Sequence, residues 1–339
     1  GVERIGVHDD FFALGGHSLL VIKLISQIRK EFDRTDIMVR HVFEKPTIKE
    51  FSNLLNSKHS NEKTNSSITL LKSGKGKVKI FILPGIFGIA DFYYDLANGF
   101  ESNNPVFGIN MIGVNEGENP MATIEEIAKR NIDLIESIQP NGQYHIVGHS
   151  FGGLVAMEMI DQLSKKDNDN QFVKATIIDV LPEKKPSNNG DFMNAIILLL
   201  YEFINNNYFG NIDFSERKLK KILSEKLKGL EMNQYWEAIE GFIHEHIANA
   251  TELSEFERVY NVFKKNISMN YSVKPTNTNN LLLSVAKENG NNIIIMKNQW
   301  AKLAPRMKQV ETDGTHHSMI KGENAKKLAD QISVFIEPN

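Results

Sequence analysis

The sequence holds 339 residues, about twice the ~150 typical of one domain, so two domains are expected. Apolar residues make up 41% and charged residues 24%, which excludes a largely disordered or fibrous chain. A net charge of −3 with no strongly basic half argues against nucleic acid as the main partner, and the lack of cysteine removes disulfides, thiol nucleophiles and thiolate metal sites. The longest unbroken apolar run, Ala195–Tyr201, is far short of the roughly 18 residues a membrane-spanning helix needs, so no membrane partner is expected. The chain opens at Gly1 without a signal-peptide pattern, which favours the cytoplasm. A start without Met suggests a piece of a longer protein.

In chain order, Val21, Leu24, Ile25, Ile28 and Phe32 recur on one face of an α-helix. A second helix is expected from Thr47, which follows Pro46 and has Glu50 three residues on, a capping-box arrangement. Residues 57–68 are polar, rich in Ser and Asn and without hydrophobic period, and read as a linker. Beyond it, short apolar strands (Val78–Leu83, Val106–Ile109, Tyr144–Val147, Ala175–Asp179 and Leu281–Ala286) alternate with helical stretches such as Ile124–Ile138 and Leu154–Leu163. That alternation predicts an α/β domain, a parallel sheet covered by helices on both faces. From about 184 to 275 no strand pattern interrupts four helical segments, Phe192–Ile204, Ser215–Leu227, Gln234–Ile247 and Ser254–Asn266. An insertion of this kind is expected to form a helical lid over the carboxyl ends of the strands. Its apolar face around Phe192, Ile196, Leu199 and Phe203 reads either as core between lid helices or as the lining of an acyl channel.

The strongest chemical signal is Gly148-His149-Ser150-Phe151-Gly152-Gly153, a G-x-S-x-G motif with a strand before it and a helix after it. The glycines let neighbouring backbone pass without a Cβ clash, and the turn presents the Ser150 hydroxyl at a helix N-terminus. A serine alcohol needs a base held by an acid, and in α/β-hydrolases these follow the serine in the order acid, then His. Asp179, at the carboxyl end of a core strand, is the first choice of acid; Glu288, after Leu281–Ala286, is the alternative. His316 and His317 lie on a late loop, and only one of them can face Ser150. Two backbone N–H groups must form an oxyanion hole: that of Phe151, after the nucleophile, and that of Ile86 in Pro84-Gly85-Ile86-Phe87-Gly88. Gly85 removes a side chain beside that loop and could admit water, a hint towards hydrolysis. His244 and His246, two apart on a helix, face away from each other and do not make a metal site.

The segment Asp9-Asp10-Phe11-Phe12-Ala13-Leu14-Gly15-Gly16-His17-Ser18-Leu19-Leu20 brings Ser18 by a Gly-Gly turn to the first turn of the helix above, where a plain N-cap serine is the commonest role. This string, with Phe43-Glu44-Lys45-Pro46-Thr47-Ile48, resembles the attachment site of peptidyl carrier proteins. The remainder resembles the terminal (type I) thioesterase of nonribosomal peptide synthetases and hybrid assembly lines, with Gly148–Gly153, Ile177-Ile178-Asp179 before Pro182, and Gly314-Thr315-His316 where that family has its motifs.

The resemblance implies a carrier over residues 1–57 that lacks its first helix, a linker at 58–68, and an α/β-hydrolase thioesterase over 69–339. It implies 4′-phosphopantetheine on Ser18, whose phosphate a helix N-terminus favours, and Ser150, Asp179 and His316 as nucleophile, acid and base. In the family an apolar or aromatic residue usually follows the catalytic His, where this chain has His317. The implied partners are a carrier-bound acyl or peptidyl substrate, upstream synthetase modules in cis and a phosphopantetheinyl transferase. The implied activity is release of the finished chain by hydrolysis or macrocyclisation. A free-standing serine esterase, an editing thioesterase and a catalytically silent carrier scaffold are the competing readings.

Overall fold

A helix period near the amino end and uninterrupted apolar runs farther along lead to two kinds of core. The structure, a computed structural model, describes residues 4–15, 24, 25, 27, 28, 31, 32, 37, 41, 42, 45–56, 67–140, 143–166, 173–186, 189–205, 215–246 and 250–336. Two units divide the chain, one of residues 1–64 with 187–261 and one of residues 65–186 with 262–339.

In the amino-terminal region Ile25, Ile28, Ile37, Val42 and Phe51 are buried together, with Phe11 and Phe12 packed beside them. Phe32, expected on the same face, is 59% exposed: it lies one turn past Ile28, beyond the cluster that would cover it. Helix α1 (Ile48–Asn56) starts where Thr47 caps it. The Thr47 hydroxyl accepts from the Glu50 N–H at 3.2 Å and donates to the Glu50 carboxylate at 2.8 Å, satisfying one of the orphan donors of the first turn. Asp10 bridges Thr47, and its carboxylate accepts from the N–H groups of Phe12 and Ala13, folding the turn that leads to Gly15 in the left-handed region (φ 92°). Ser18, Val21, Phe43 and Glu44 lie outside the described residues, as does most of the expected linker.

Strand β1 (Ile68–Lys72) begins on the last residue assigned to that linker. Then come β2 (Lys79–Leu83), α2 (Tyr94–Gly99), β3 (Val106–Ile109), α3 (Ile124–Ile138), β4 (Tyr144–His149), α4 (Phe151–Lys166), β5 (Val173–Ile178) and the short β6 (Glu183–Lys184). Thr123 starts α3 with a full capping box: its hydroxyl accepts from Glu126 N–H, and the Glu126 carboxylate accepts from Thr123 N–H, each at 3.2 Å.

Four helices follow, α5 (Asn189–Asn205), α6 (Glu216–Lys226), α7 (Tyr235–His246) and α8 (Ala250–Ile267). Phe192 and Phe203 of α5 are buried against aromatic partners, Phe192 beside Tyr235 and Tyr260, and Phe203 edge-on to Phe256 at 5.0 Å. That apolar face therefore packs into the core of the insertion itself. The chain continues through β7 (Tyr271–Ser272), β8 (Leu281–Ala286), α9 (Asn292–Leu303), β9 (Lys308–Thr312) and α10 (Gly322–Ile336).

Seven strands form one sheet in the order β1-β3-β2-β4-β5-β8-β9. All neighbours pair in parallel except β1, which lies antiparallel on β3 at the edge. Strands β4 and β8 are buried at every position, as expected for central strands covered on both faces. The chain leaves β2 towards β3 on one side and returns to β4 on the other. The crevice beyond the carboxyl ends of β2 and β4 is thus a topological switch point, where open α/β sheets place their ligands.

Candidate active site

Every residue singled out in the second unit lies just past a carboxyl end of the sheet. Ser150 follows β4, the Gly85–Gly88 loop follows β2, Asp179 follows β5, and His316 follows β9. Adjacent registers fix their heights: Leu83 pairs with Gly148, and His149 pairs with Ile178.

Ser150 (φ 53°) and Asp179 (φ 50°) are the non-glycine residues in the left-handed region among the described residues. Such backbone costs on the order of 1–3 kcal/mol each and persists where surrounding structure enforces it. At Ser150 the enforcement is visible on both sides: its N–H donates to the Ile178 carbonyl and its carbonyl accepts from Gly153 N–H, each at 2.8 Å. A Cβ on Gly148 would overlap the Gly152 carbonyl, and one on Gly152 would overlap the Leu83 carbonyl, so strand, turn and helix close up only with glycine at both places.

The Asp179 N–H donates to the Ser284 carbonyl at 2.9 Å. Its carboxylate is almost wholly buried and accepts three hydrogen bonds: from Ala286 N–H at 2.9 Å and Asn289 Nδ2 at 2.7 Å on Oδ1, and from His316 Nδ1 at 2.7 Å on Oδ2. Burial alone would raise its pKa, but the bonds from His316, Ala286 and Asn289 outweigh burial and hold it below the usual carboxylate range. The group is an anion and can only accept, so His316 carries a proton on Nδ1. Glu288, the alternative acid, is exposed, and no hydrogen bond or ion pair joins its carboxylate to either histidine among the described residues. His317 is exposed too, its ring edge-on to His316 at 4.9 Å, with no carboxylate partner among the described residues.

The loop bearing His316 is braced on both sides. Gly314 (φ 99°) turns the chain, Thr315 and Ser318 exchange backbone-to-hydroxyl bonds at 2.8 and 3.2 Å, and Asp313 is gripped by Lys287 and Lys327. The His316 ring lies 4.7 Å from that of His149, the residue before Ser150. Among the described residues no hydrogen bond engages the N–H of Ile86 or of Phe151, the two donors expected to face an oxyanion.

A thioesterase domain profile matches residues 78–336, and a phosphopantetheine attachment site profile matches residues 1–55. The chain belongs to the thioesterase domain family. These are serine hydrolases, and this thioesterase follows a carrier-type region, a pairing related to the termination modules of nonribosomal peptide synthetases. Malpibaldin synthetase of Mortierella alpina is 33% identical over 167 residues, 49% of this chain and 3% of that much longer synthetase. The holo-AB3403 four-domain nonribosomal peptide synthetase, bound to AMP and glycine, is matched over 100% of this chain and 25% of its own at 24% identity and a TM-score of 0.63. SrfTE, the thioesterase domain that cyclises the lipopeptide antibiotic surfactin, is matched over 83% of this chain and 100% of its own at 15% identity and a TM-score of 0.54. The fold is the α/β-hydrolase thioesterase fold with a helical insertion. Among the described residues no helix is long and apolar enough to cross a membrane.

Three polar contacts of the thioesterase escape sequence reasoning, because each joins residues far apart in the chain. Asn289 supports Asp179 across 110 positions. Asn266 of α8 donates to the Ile86 carbonyl at 2.8 Å and fixes the peptide after the expected oxyanion donor. Tyr93 reaches His149 across 56 positions. In the insertion, His244 faces Glu240 and His246 stacks on Phe242, so each histidine has a neighbour on its own helix.

Proposed function

We propose that this chain releases a finished acyl or peptidyl chain from a carrier-bound thioester through an ester on Ser150, by hydrolysis or macrocyclisation. His316 Nε2 takes the proton of the Ser150 hydroxyl as its oxygen attacks the thioester carbonyl. Asp179 holds the imidazole in the required tautomer and stabilises the cation formed. The N–H groups of Ile86 and Phe151 receive the oxyanion, an interaction worth roughly 3–4 kcal/mol per donor in well-studied hydrolases. The proton on His316 passes to the leaving group, and an acyl-Ser150 ester remains. His316 then deprotonates the second nucleophile, water or an amine or hydroxyl of the acyl chain. Gly85 leaves a methyl-sized space beside the nucleophile: a Cβ there would touch Ser150 Cβ at 3.6 Å and Tyr93 Oη at 3.4 Å. The observation that carries this reading is the Asp179–His316 hydrogen bond at 2.7 Å, on a ring 4.7 Å from the neighbour of Ser150.

The attachment-site match supports Ser18 as the residue that bears 4′-phosphopantetheine. The described turn before it is closed by Asp10, whose carboxylate accepts from the Phe12 and Ala13 N–H groups, and ends at Gly15 in the left-handed region, three positions before Ser18 in the sequence. When attached, the group supplies the thioester that presents the acyl chain. Tethering raises the local concentration of cargo, so the two regions need little intrinsic affinity. Upstream synthetase modules would load the carrier, and a phosphopantetheinyl transferase would modify it.

The test is intact-protein mass spectrometry. Coenzyme A with a phosphopantetheinyl transferase adds one arm to the parent chain and none to Ser18→Ala. A fluorophosphonate labels the parent but not Ser150→Ala, and a loaded acyl group leaves the parent but persists on Ser150→Ala. Release at the parental rate from Ser150→Ala would falsify the assignment. An unmodified Ser18 would leave a stand-alone esterase.

A further inference from the structure

His149 is 3% exposed, and both of its ring nitrogens are engaged. Nε2 lies 2.9 Å from the His316 carbonyl, which can only accept, so Nε2 carries the proton. Burial, reinforced by the charge that His316 can carry, holds this imidazole neutral, which leaves Nδ1 as an acceptor. Tyr93 stands 2.8 Å from Nδ1 and must donate its hydroxyl proton there. The same hydroxyl oxygen accepts from Gly85 N–H at 2.7 Å. The directions are forced along the whole line: Gly85 N–H to Tyr93 Oη, Tyr93 O–H to His149 Nδ1, and His149 Nε2–H to the His316 carbonyl. One end is the residue before Ile86 in the oxyanion loop, and the other is the backbone of the general base.

We infer that Tyr93 and His149 are positioning residues that tie the oxyanion loop to the loop carrying His316, so that donors and base are set together against Ser150. The inference rests on the Ser150–His316 reading above. His149 cannot be the base itself, because its one lone pair is taken by Tyr93. A leucine or phenylalanine would fill the buried site without the cost of desolvating an imidazole. What the imidazole adds is direction: a donor and an acceptor on opposite edges of a rigid ring, spanning two loops that have no covalent reason to keep register. Loss of either link frees one loop relative to the other, and displacements near 1 Å cost about 100-fold in rate.

The experiment uses the full chain and a short acyl thioester of N-acetylcysteamine as probe. Tyr93→Phe and His149→Leu are expected to lower kcat by about 10- to 100-fold with KM little changed. His149→Gln, whose amide again offers one donor and one acceptor, should regain most of that loss. Folded variants of both kinds with parental kcat overturn the inference, and so does a His149→Gln no better than His149→Leu. Ser150→Ala in the same assay separates the two readings. If it still turns over, the nucleophile assignment fails; if it is dead while the Tyr93 and His149 variants are fully active, only the positioning role fails. Should the variants not fold, nitrogen-15 spectra of the parent decide. A ring protonated at Nε2 and bare at Nδ1 in neutral buffer is expected, and the opposite tautomer or an imidazolium overturns the inference.

Discussion

At the residue scale, the Asp179 carboxylate owes its character to its neighbours more than to its burial. Asn289 donates to it at 2.7 Å from a short turn after β8. A hydrogen bond to a charged group is worth about 1.5–3 kcal/mol, and Asn289→Ala removes one. Because the folded pKa of Asp179 is depressed, that stability is present above the unfolded value, near 3.9, and is lost as pH falls through the folded value. Urea unfolding should therefore show Asn289→Ala destabilised by about that amount at pH 7 and clearly less in strong acid. An equal loss at both pH values would mean that Asn289 acts by packing alone. The carboxylate also loses part of its grip on the His316 tautomer, so kcat should fall by roughly tenfold in the same variant.

At the scale of elements, capping decides where the chain enters a helix. Thr123→Ala removes one half of the box that starts α3 and should cost about 1 kcal/mol, read as a shift in the urea midpoint with an unchanged slope. Elements of this sort were legible in the sequence, because their signals are local: Thr123 and Glu126 lie three apart, and Tyr144–Val147 and Leu281–Ala286 are apolar runs buried on both faces. The edges were not. Strand β9, Lys308-Gln309-Val310-Glu311-Thr312, carries charge because one side of it has no neighbouring strand, and β1 hides its alternation behind the polar residues of the linker. The site divides in the same way. Ser150 announces itself through glycines required by its own turn, whereas Tyr93, Asn266 and Asn289 matter only through partners that the fold brings from elsewhere.

For the molecule as a whole, two imidazoles enclosed by the sheet region contribute to its response to acid. His145 on β4 is fully buried, with Nε2 on the Thr176 hydroxyl at 2.8 Å and, among the described residues, no partner on Nδ1. Burial, and then the nearby Lys174, pushes its pKa down to about 3. The unfolded histidine titrates near 6.5, so between those values only the unfolded state takes up the proton. Stability is full above about pH 6.5 and drains away as pH falls towards 3, by about 1.4 kcal/mol per pH unit for each such histidine. His149 adds a second proton of the same sign. Unfolding free energy measured from pH 7 to 4 should lose one of these two contributions to its slope in His145→Gln. A slope identical to the parent's would show that the ring is protonated within the fold.

Along the chain, Ser150 precedes the helical insertion and His316 follows it, and 167 positions already separate His149 from His316. Translation runs from the amino end, and an emerging polypeptide folds in that order. A ribosome still working through the insertion therefore holds the strained turn at Ser150 before the loop that carries His316 has been made.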